Sequence, residues 1–263
     1  MVATARRIWS CRGGPPKGGF TRIRVRPLAR AMLGNLNALF AATVLFVGGH
    51  FLLSSQQFRD PAIKWLGNQG FVTVYSLAVT GALLWMAAAY AEAPFVPVWS
   101  PPIALRWVPN VLMPIASILL VAGLTTRSPT MVGGDRHGFG PEDPAPGILR
   151  ITRHPFLWAT TLWSVGHLAA NGDAASIILF GGILVLSVGG MRHIDQKRER
   201  ALGAAWGPVA LTTSVIPFQA IITRRTRFDW KGIGFWRPIA GIALYAALLH
   251  LHPLLFGVSA LPV

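Results

Sequence analysis

Six apolar segments alternate with polar connections along this chain, and their lengths predict membrane-spanning helices. Each is near the roughly 20 residues that an α-helix needs to cross the hydrocarbon core. They cover residues 33–54, 71–91, 108–124, 156–171, 174–191 and 239–258. Only Gly172-Asp173 separates the fourth segment from the fifth, which predicts a tight helical hairpin. The pattern therefore predicts an all-α integral membrane protein with about six transmembrane helices.

The fourth segment carries a polar stripe, formed by Thr160, Ser164, His167 and Asn171. Their spacings of 4, 3 and 4 residues put them on one face of a helix. Hydrocarbon cannot satisfy polar groups, so the stripe must face protein or a cavity. The segment opens with Arg153-His154-Pro155, and proline suits a first helical turn because its missing N–H would have no partner there. This segment is the best functional clue in the sequence.

Composition supports a membrane protein, because 52% of the 263 residues are hydrophobic and only 13% are charged. Soluble domains carry about 25% charged residues. The net charge of +15 could suggest nucleic acid, but the basic residues lie between the apolar segments and not on one amphipathic face. Such clusters usually set topology and contact anionic lipid, so we expect membrane lipid as a partner and no nucleic acid. A single cysteine, Cys11, excludes an intrachain disulfide and a thiolate zinc site.

The basic residues also predict an orientation. The first, third and fifth connections hold fifteen Lys and Arg residues, and the second and fourth hold one. By the positive-inside rule the basic connections are cytoplasmic, and the first segment starts outside. Residues 1–31 carry eight further Lys or Arg and no acid, which such a topology would have to translocate. We interpret 1–31 as a disordered arm or a start-site artefact, and predict a transmembrane domain over 32–258.

Among seven histidines, three are candidates for chemistry. His137 and His193 are expected to be solvated, and His250 and His252 point to different sides of their helix. A buried imidazole at His50, His154 or His167 is a functional hypothesis, since neutral histidine is the commonest haem or metal ligand. The alternatives are a hydrogen bond to a neighbouring helix or, for His154 with Arg153, an anchor at the lipid headgroups.

Spacing limits how these histidines could share a ligand. His154 and His167 are 13 residues apart, which is about 20 Å along a helix, so one metal cannot use both. His50 could pair with either. The apolar segments hold no paired carboxylates, and the chain shows no Ser-His-Asp or phosphate-binding glycine pattern. These residues favour redox, cofactor-bound or isomerase chemistry on a lipid-soluble small molecule over hydrolysis.

Several blocks resemble the NnrU family over about residues 32–258. They are Thr-Arg-His-Pro-Phe-Leu-Trp at 152–158, Gly-His-Leu-Ala-Ala-Asn-Gly-Asp at 166–173, Gly-His-Phe-Leu-Leu-Ser at 49–54 and Trp-Ser-Pro-Pro at 99–102. The family shares its domain with 15-cis-ζ-carotene isomerase. The resemblance implies a bacterial inner-membrane protein with haem b held between His50 and His167, which isomerises a cis double bond when the iron is reduced. Arg153, His154 and Asn171 are further candidates for the cofactor site.

Two features of the chain bear on that haem hypothesis. The isomerase pattern has a cysteine where this chain has Ser164, so a thiolate ligand is not expected. The predicted topology offsets His50 and His167 by roughly 15 Å along the membrane normal, whereas two axial nitrogens on one iron lie about 4 Å apart. Helix tilt or a vertical shift would have to absorb the difference, and His154 is the competing partner.

Two alternatives stay open. Arg-His-Pro before a hairpin, followed by Arg198-Glu199-Arg200, Gly207 and Ile216-Pro217, resembles membrane methyltransferases of isoprenylcysteine and phospholipids, whose basic and acidic residues serve an S-adenosylmethionine site. The paired glutamates of that pattern are missing here. The third hypothesis is a non-catalytic accessory factor for nitrite or nitric oxide respiration. In every case we expect an amphipathic helix from about residue 196, followed by a partly buried return.

Overall fold

A computed structural model describes residues 34–130 and 145–262. The predictions for the arm 1–31 and for His137 fall outside the described residues. The described part is helical and contains no strand, with one isolated bridge between Pro97 and Asp173. Its α-helices are α1 (Leu36–Ser54), α2 (Gln56–Glu92), α3 (Ile103–Arg106), α4 (Val108–Thr125), α5 (Pro155–Ala170), α6 (Ala174–Leu202), α7 (Trp206–Thr212), α8 (Gln219–Ile222), α9 (Trp230–Ile233) and α10 (Trp236–Phe256).

Five helical stretches are long and apolar enough to cross a membrane. They are α1, α2, α3 with α4, α6 with α7, and α10. Helix α5, with 16 residues, is shorter than these and packs between α4 and α6. The prediction of an all-α, multi-pass membrane protein is confirmed, and the number of six helices is approximate.

Two connections differ from the prediction. The segment 55–70 is not a loop but the start of α2, which is kinked at Gly67 (φ 72°, ψ 165°). The basic segment after Met191 is not a separate amphipathic helix, because α6 continues through it to Leu202. Residues 192–202 are mostly good helix formers, and the helix ends only where Gly203 takes a φ of 54°.

The helices alternate in direction along the chain. Helix α1 runs parallel to α6, with Thr43 against Gly182 and Phe51 against Gly189. Helix α5 runs antiparallel to α6, since Leu157 contacts Gly190 and Trp163 packs on Phe180. The contacts of Gly123 and Gly166 make α4 antiparallel to α5. Helix α10 is antiparallel to α4, because its start bonds Thr125 and its middle bonds Asn110.

This alternation collects the basic connections at one end of the bundle. We call it the basic end; it contains the end of α1, the start of α5, the end of α6 and the start of α10. Arg59, Arg150 and Arg225 lie in the connections and helix starts on this side, whereas Arg106 lies on the other. The charge asymmetry predicted from the sequence is therefore also an asymmetry of the folded protein.

Candidate functional site

Arg153, His154 and Asp195 form a charged cluster at the basic end, where α5 begins. His154 Nε2 donates to Asp195 Oδ1 over 2.8 Å, and Arg153 Nη1 lies 3.5 Å from Asp195 Oδ2. Arg153 and His154 are 9% and 2% exposed. The pair is therefore buried against α6, and does not lie among solvated headgroups as a simple anchor would.

Backbone contacts hold the charged cluster in place. Because Pro155 opens α5, the residues before it lie outside the helix, and Thr152 and Arg153 pair with the segment that follows α7. Arg153 N–H donates to Ser214 O over 2.8 Å, and Thr152 Oγ1 donates to Val215 O over 2.9 Å. This confirms the expected partly buried return of the chain, in which Thr213 and Ser214 are 0% and 3% exposed.

The guanidinium of Arg153 is in an unusual environment. It lies over the ring of buried Trp206, 5.2 Å from the centroid, in a cation–π arrangement. Burial lowers the pKa of Arg153, the Asp195 carboxylate raises it, and the charge of Arg225 lowers it again. Its Nε has no hydrogen-bond partner within the described ranges. Buried, unsatisfied polar groups are costly and concentrate at functional sites.

A cavity of about 550 Å³ adjoins this cluster. Trp158, Met191 and Ile216 supply an apolar wall, and Arg192, Asp195 and Glu199 supply charged groups. Small-molecule sites have volumes of about 300–1,000 Å³ and combine such walls with a few polar groups. The charged cluster and this cavity thus form one candidate site.

The polar stripe of α5 faces α6. Thr160 Oγ1 lies 2.7 Å from Ser187 Oγ, and Ser164 is completely buried with no partner for its hydroxyl in the described part of the chain. Asn171 ends the stripe as the C-cap of α5, where its Nδ2 donates to His167 O over 2.8 Å. Its observed contact is therefore a helix cap.

His167 lies among aromatic rings at the opposite end of α5. Its ring stacks on Phe180 at 4.8 Å and lies 5.1 Å from Trp163. Its Nδ1 is 2.8 Å from Trp163 O, and a carbonyl only accepts, so Nδ1 carries the hydrogen. In the neutral ring Nε2 is then the lone-pair nitrogen, as in metal-ligating histidines oriented by a backbone carbonyl.

His50 in α1 has the same local arrangement. Its Nδ1 lies 2.8 Å from Phe46 O, and the Phe46 and Tyr75 rings lie 4.6 and 6.1 Å from its own. Each of the two predicted ligands therefore has a suitable tautomer. His154 differs, because its Nε2–H binds Asp195 and Nδ1 is then the lone-pair nitrogen of the neutral ring.

The contacts of α6 show that His50 and His167 lie at different depths. His167 packs on Phe180, whereas Phe51, next to His50, packs on Gly189. Nine residues of α6 correspond to about 14 Å along the helix axis. Two histidines on one iron need nitrogens only about 4 Å apart. The structure agrees with the offset expected from topology, and this arrangement does not fit a haem shared by the two residues.

The described residues also hold no group of three or more His, Cys, Asp or Glu side chains that could bind a metal ion. His50 and His167 as ligands therefore stay predictions. The sequence interpretation missed Asp195, which is one of three acids among the nine basic residues of 192–238. It also missed His193, expected to be solvated, which lies within α6 and meets Ser54 Oγ of α1 at 3.0 Å.

Comparison with known proteins identifies the family. The model of the family described as NnrU protein matches residues 38–260. The chain belongs to the NnrU family. It is 29% identical over 112 residues to the chloroplastic 15-cis-zeta-carotene isomerase of Zea mays, which covers 41% of this chain and 31% of that protein.

A second relative gives the same result. The Arabidopsis thaliana protein of the same name is 28% identical over 116 residues, 43% of this chain and 32% of the relative. The NnrU chain thus matches about a third of the length of these curated relatives. No solved structure matches it significantly. The predicted family is confirmed.

Proposed function

We propose that this NnrU protein is a membrane isomerase that acts on a cis double bond of a lipid-soluble polyene. The similarity to the two plant isomerases supports it. The observation that carries it is the aromatic group around His167, which combines two large rings, Trp163 and Phe180, with one lone-pair nitrogen. Flat conjugated chains pack favourably against such rings.

The position of this group suits a lipid-soluble substrate. Trp163 and His167 are half-buried in α5, and Phe180 is buried in α6. A polyene could reach them from the hydrocarbon without passing through water, so its apolar surface stays out of solvent throughout. The rings would orient the polyene, and His167 Nε2 is the basic or ligating atom beside it.

Haem b stays a prediction that rests on the resemblance. His50 and His167 lie about 14 Å apart along the helix axis, so the proposed reaction does not depend on a haem shared by both. The proposed location is a bacterial inner membrane with the basic end on the cytoplasmic side, in keeping with the positive-inside rule.

Turnover provides the test. The chain would be expressed in a host that accumulates 15-cis-ζ-carotene, and the isomers would be separated by chromatography. We expect conversion by the parent and by His250→Ala, which removes an exposed histidine of α10, and loss of conversion in His167→Ala. No conversion by a well-expressed parent would overturn the proposal, and conversion by purified protein would separate an enzyme from an accessory factor for nitrite or nitric oxide respiration.

Absorption spectra test the cofactor separately. A Soret band that is lost in His50→Ala and His167→Ala, but kept in His154→Ala, would support haem ligation by the first two residues. A colourless protein with full turnover would reject haem and leave the isomerase proposal standing.

The cavity at the charged cluster favours a second candidate, a methyltransferase. It brings Glu199 and Asp195 to one apolar-walled space, and Asp195 in turn holds Arg153. Carboxylates beside an aromatic wall suit the sulfonium and amino groups of S-adenosylmethionine. Calorimetry should then show that the protein binds S-adenosylmethionine and that Glu199→Gln weakens this binding. The control Glu92→Gln, which changes an exposed glutamate at the other end of the bundle, should leave it unchanged. Absence of binding to the parent would remove this candidate.

A further inference from the structure

A second cavity, of about 410 Å³, lies at the basic end between α8 and α9. It is lined by Ile221, Arg224, Thr226, Arg227 and Phe228, none of which lines the cavity at the charged cluster. Two guanidinium groups and a hydroxyl therefore meet one aliphatic and one aromatic side chain. Such a lining suits a ligand that is anionic at one end and apolar at the other.

Arg225 lies between Arg224 and Arg227 in the chain, but it binds backbone carbonyls. Arg225 Nη1 donates to the carbonyls of Ala210, Leu211 and Thr213 over 3.1–3.2 Å, so it caps the end of α7. Arg224 and Arg227 are exposed and make no side-chain hydrogen bond or ion pair within the described part of the chain. Their donors are available to a ligand.

The nearest acid in sequence, Asp229, is bonded to backbone groups and not to these arginines. Both carboxylate oxygens of Asp229 accept backbone hydrogen bonds, Oδ1 from Gly232 N at 2.9 Å and Oδ2 from Gly147 N at 2.8 Å. The lining of this cavity holds two arginines and no acid. Guanidinium groups bind phosphate well because their planar donors match its oxygens in pairs.

The backbone supplies an independent observation. Arg224 has a φ of 58°, in the left-handed region where glycine is favoured and larger residues are strained. The chain nevertheless places an arginine there, and its side chain lines the cavity. Strained residues of this kind cluster at ligand sites.

Exposed aromatic residues show at which depth the cavity lies. Trp230 stacks with Phe228 at 5.9 Å and meets Phe235 edge-on at 5.2 Å, and these three are 43%, 47% and 68% exposed. They immediately precede α10, which starts at Trp236. Exposed tryptophans gather at the boundary between hydrocarbon and water, and Trp230 and Trp236 are 43% and 52% exposed, so the cavity lies at the level of the lipid headgroups.

We propose that Arg224, Thr226 and Arg227 bind the phosphate of an anionic phospholipid, with Ile221 and Phe228 against its glycerol and upper acyl chain. The arginines supply charge-assisted hydrogen bonds to the phosphate oxygens, and the Thr226 hydroxyl supplies one more. This site is independent of the proposed isomerase reaction. It attaches the connection between α7 and α10 to one leaflet of the membrane.

Binding of phosphatidylglycerol to the purified full chain, measured by native mass spectrometry with phosphatidylcholine as reference, tests the site. Each arginine near an anionic surface contributes about a fivefold gain in affinity. We expect Arg227→Gln to weaken phosphatidylglycerol binding about fivefold and the Arg224→Gly/Arg227→Gln double variant about 25-fold. Phosphatidylcholine binding should change little.

Two comparisons guard against trivial explanations. Lys231→Gln removes an exposed charge from the same end of the bundle, outside the cavity, and should preserve the preference for phosphatidylglycerol. Arg224→Gly relieves the strained φ, so its thermal stability should equal or exceed that of the parent while lipid binding falls. Equal lipid binding by parent and double variant, or an equal loss in Lys231→Gln, would overturn the proposal. Displacement of the lipid by millimolar glycerol 3-phosphate would assign the site to a soluble phosphate instead.

Discussion

Removing the carboxylate of Asp195 should destabilise the protein strongly. In Asp195→Ala the guanidinium of Arg153, whose side chain is 11% exposed, loses its counter-charge, and His154 Nε2–H loses its acceptor. Breaking a buried ion pair from one side costs about 3–5 kcal/mol, because the remaining charge stays buried. The Asp195 side chain is 19% exposed, and water therefore screens it in part, so we expect the lower limit, about 3 kcal/mol.

The free energy of unfolding of Asp195→Ala can be measured by denaturant titration in detergent micelles, followed by helical circular dichroism. Asp60→Ala, which removes an exposed carboxylate near the start of α2, is the matched control and should change stability by less than about 0.5 kcal/mol. A third variant, Arg153→Leu with Asp195→Leu, removes both charges together. It should recover much of the lost stability, because replacing a whole buried pair with apolar groups is often neutral.

The reasoning fails if Asp195→Ala and Asp60→Ala lose the same small amount. The Arg153–Asp195 pair would then behave as a surface ion pair, which contributes about 0–1 kcal/mol, and the charged cluster would not be buried in solution. A double variant as unstable as Asp195→Ala would show instead that packing around Trp206 and Met191, and not the unpaired charge, dominates the cost.

Three further outcomes are expected. Gly241→Ala should lower stability by about 1–3 kcal/mol in the same titration, because the new Cβ would lie 2.5 Å from Ile118 Cα in α4. Gly81→Ala, at an open position of α2, should raise it by up to about 1 kcal/mol, and the opposite order of the two would contradict the α4–α10 contact. Burial raises the pKa of Asp229, but backbone N–H groups of Gly232 and Gly147 and the charge of Arg150 lower it below its usual value. The contribution of the Asp229 carboxylate to the free energy of unfolding is therefore present above the unfolded-state pKa. It is lost as the pH falls through the lower folded-state pKa, so acid should destabilise the parent more than Asp229→Ala.

Much of the architecture could be predicted from the chain by itself. The span predicted at 174–191 lies within α6, and the span predicted at 239–258 coincides with α10 up to Phe256. Such agreement is expected because the free energy of inserting a segment into lipid is nearly a sum over its own side chains. The hairpin around Gly172-Asp173 follows from the same local pattern. Gly172 O accepts hydrogen bonds from the N–H groups of Val98 and Trp99. These two bonds join segments that are distant in sequence and could not be predicted.

The candidate site shows where sequence interpretation stopped. Arg153 and His154 were singled out by the Arg-His-Pro block and by the candidate buried imidazole, yet their shared partner Asp195 was missed. The failure was similar for His193, which looked solvated only because the end of α6 was placed too early. Because α6 extends to Leu202, Asp195 and His193 lie on a helix that packs against other parts of the protein, where they contact His154 and Ser54.

The sequence by itself determined that this protein lies in a membrane, which end of it is basic, and that His50 and His167 lie within apolar helices. Hydropathy, charge and helical spacing are properties of one segment at a time, so no partner is needed to evaluate them. Only the tertiary structure decided that His154 binds Asp195, 41 residues away, and that His193 meets Ser54 of α1. Those outcomes depend on the shift and rotation of each helix against its neighbours, which packing between side chains determines and no single segment encodes.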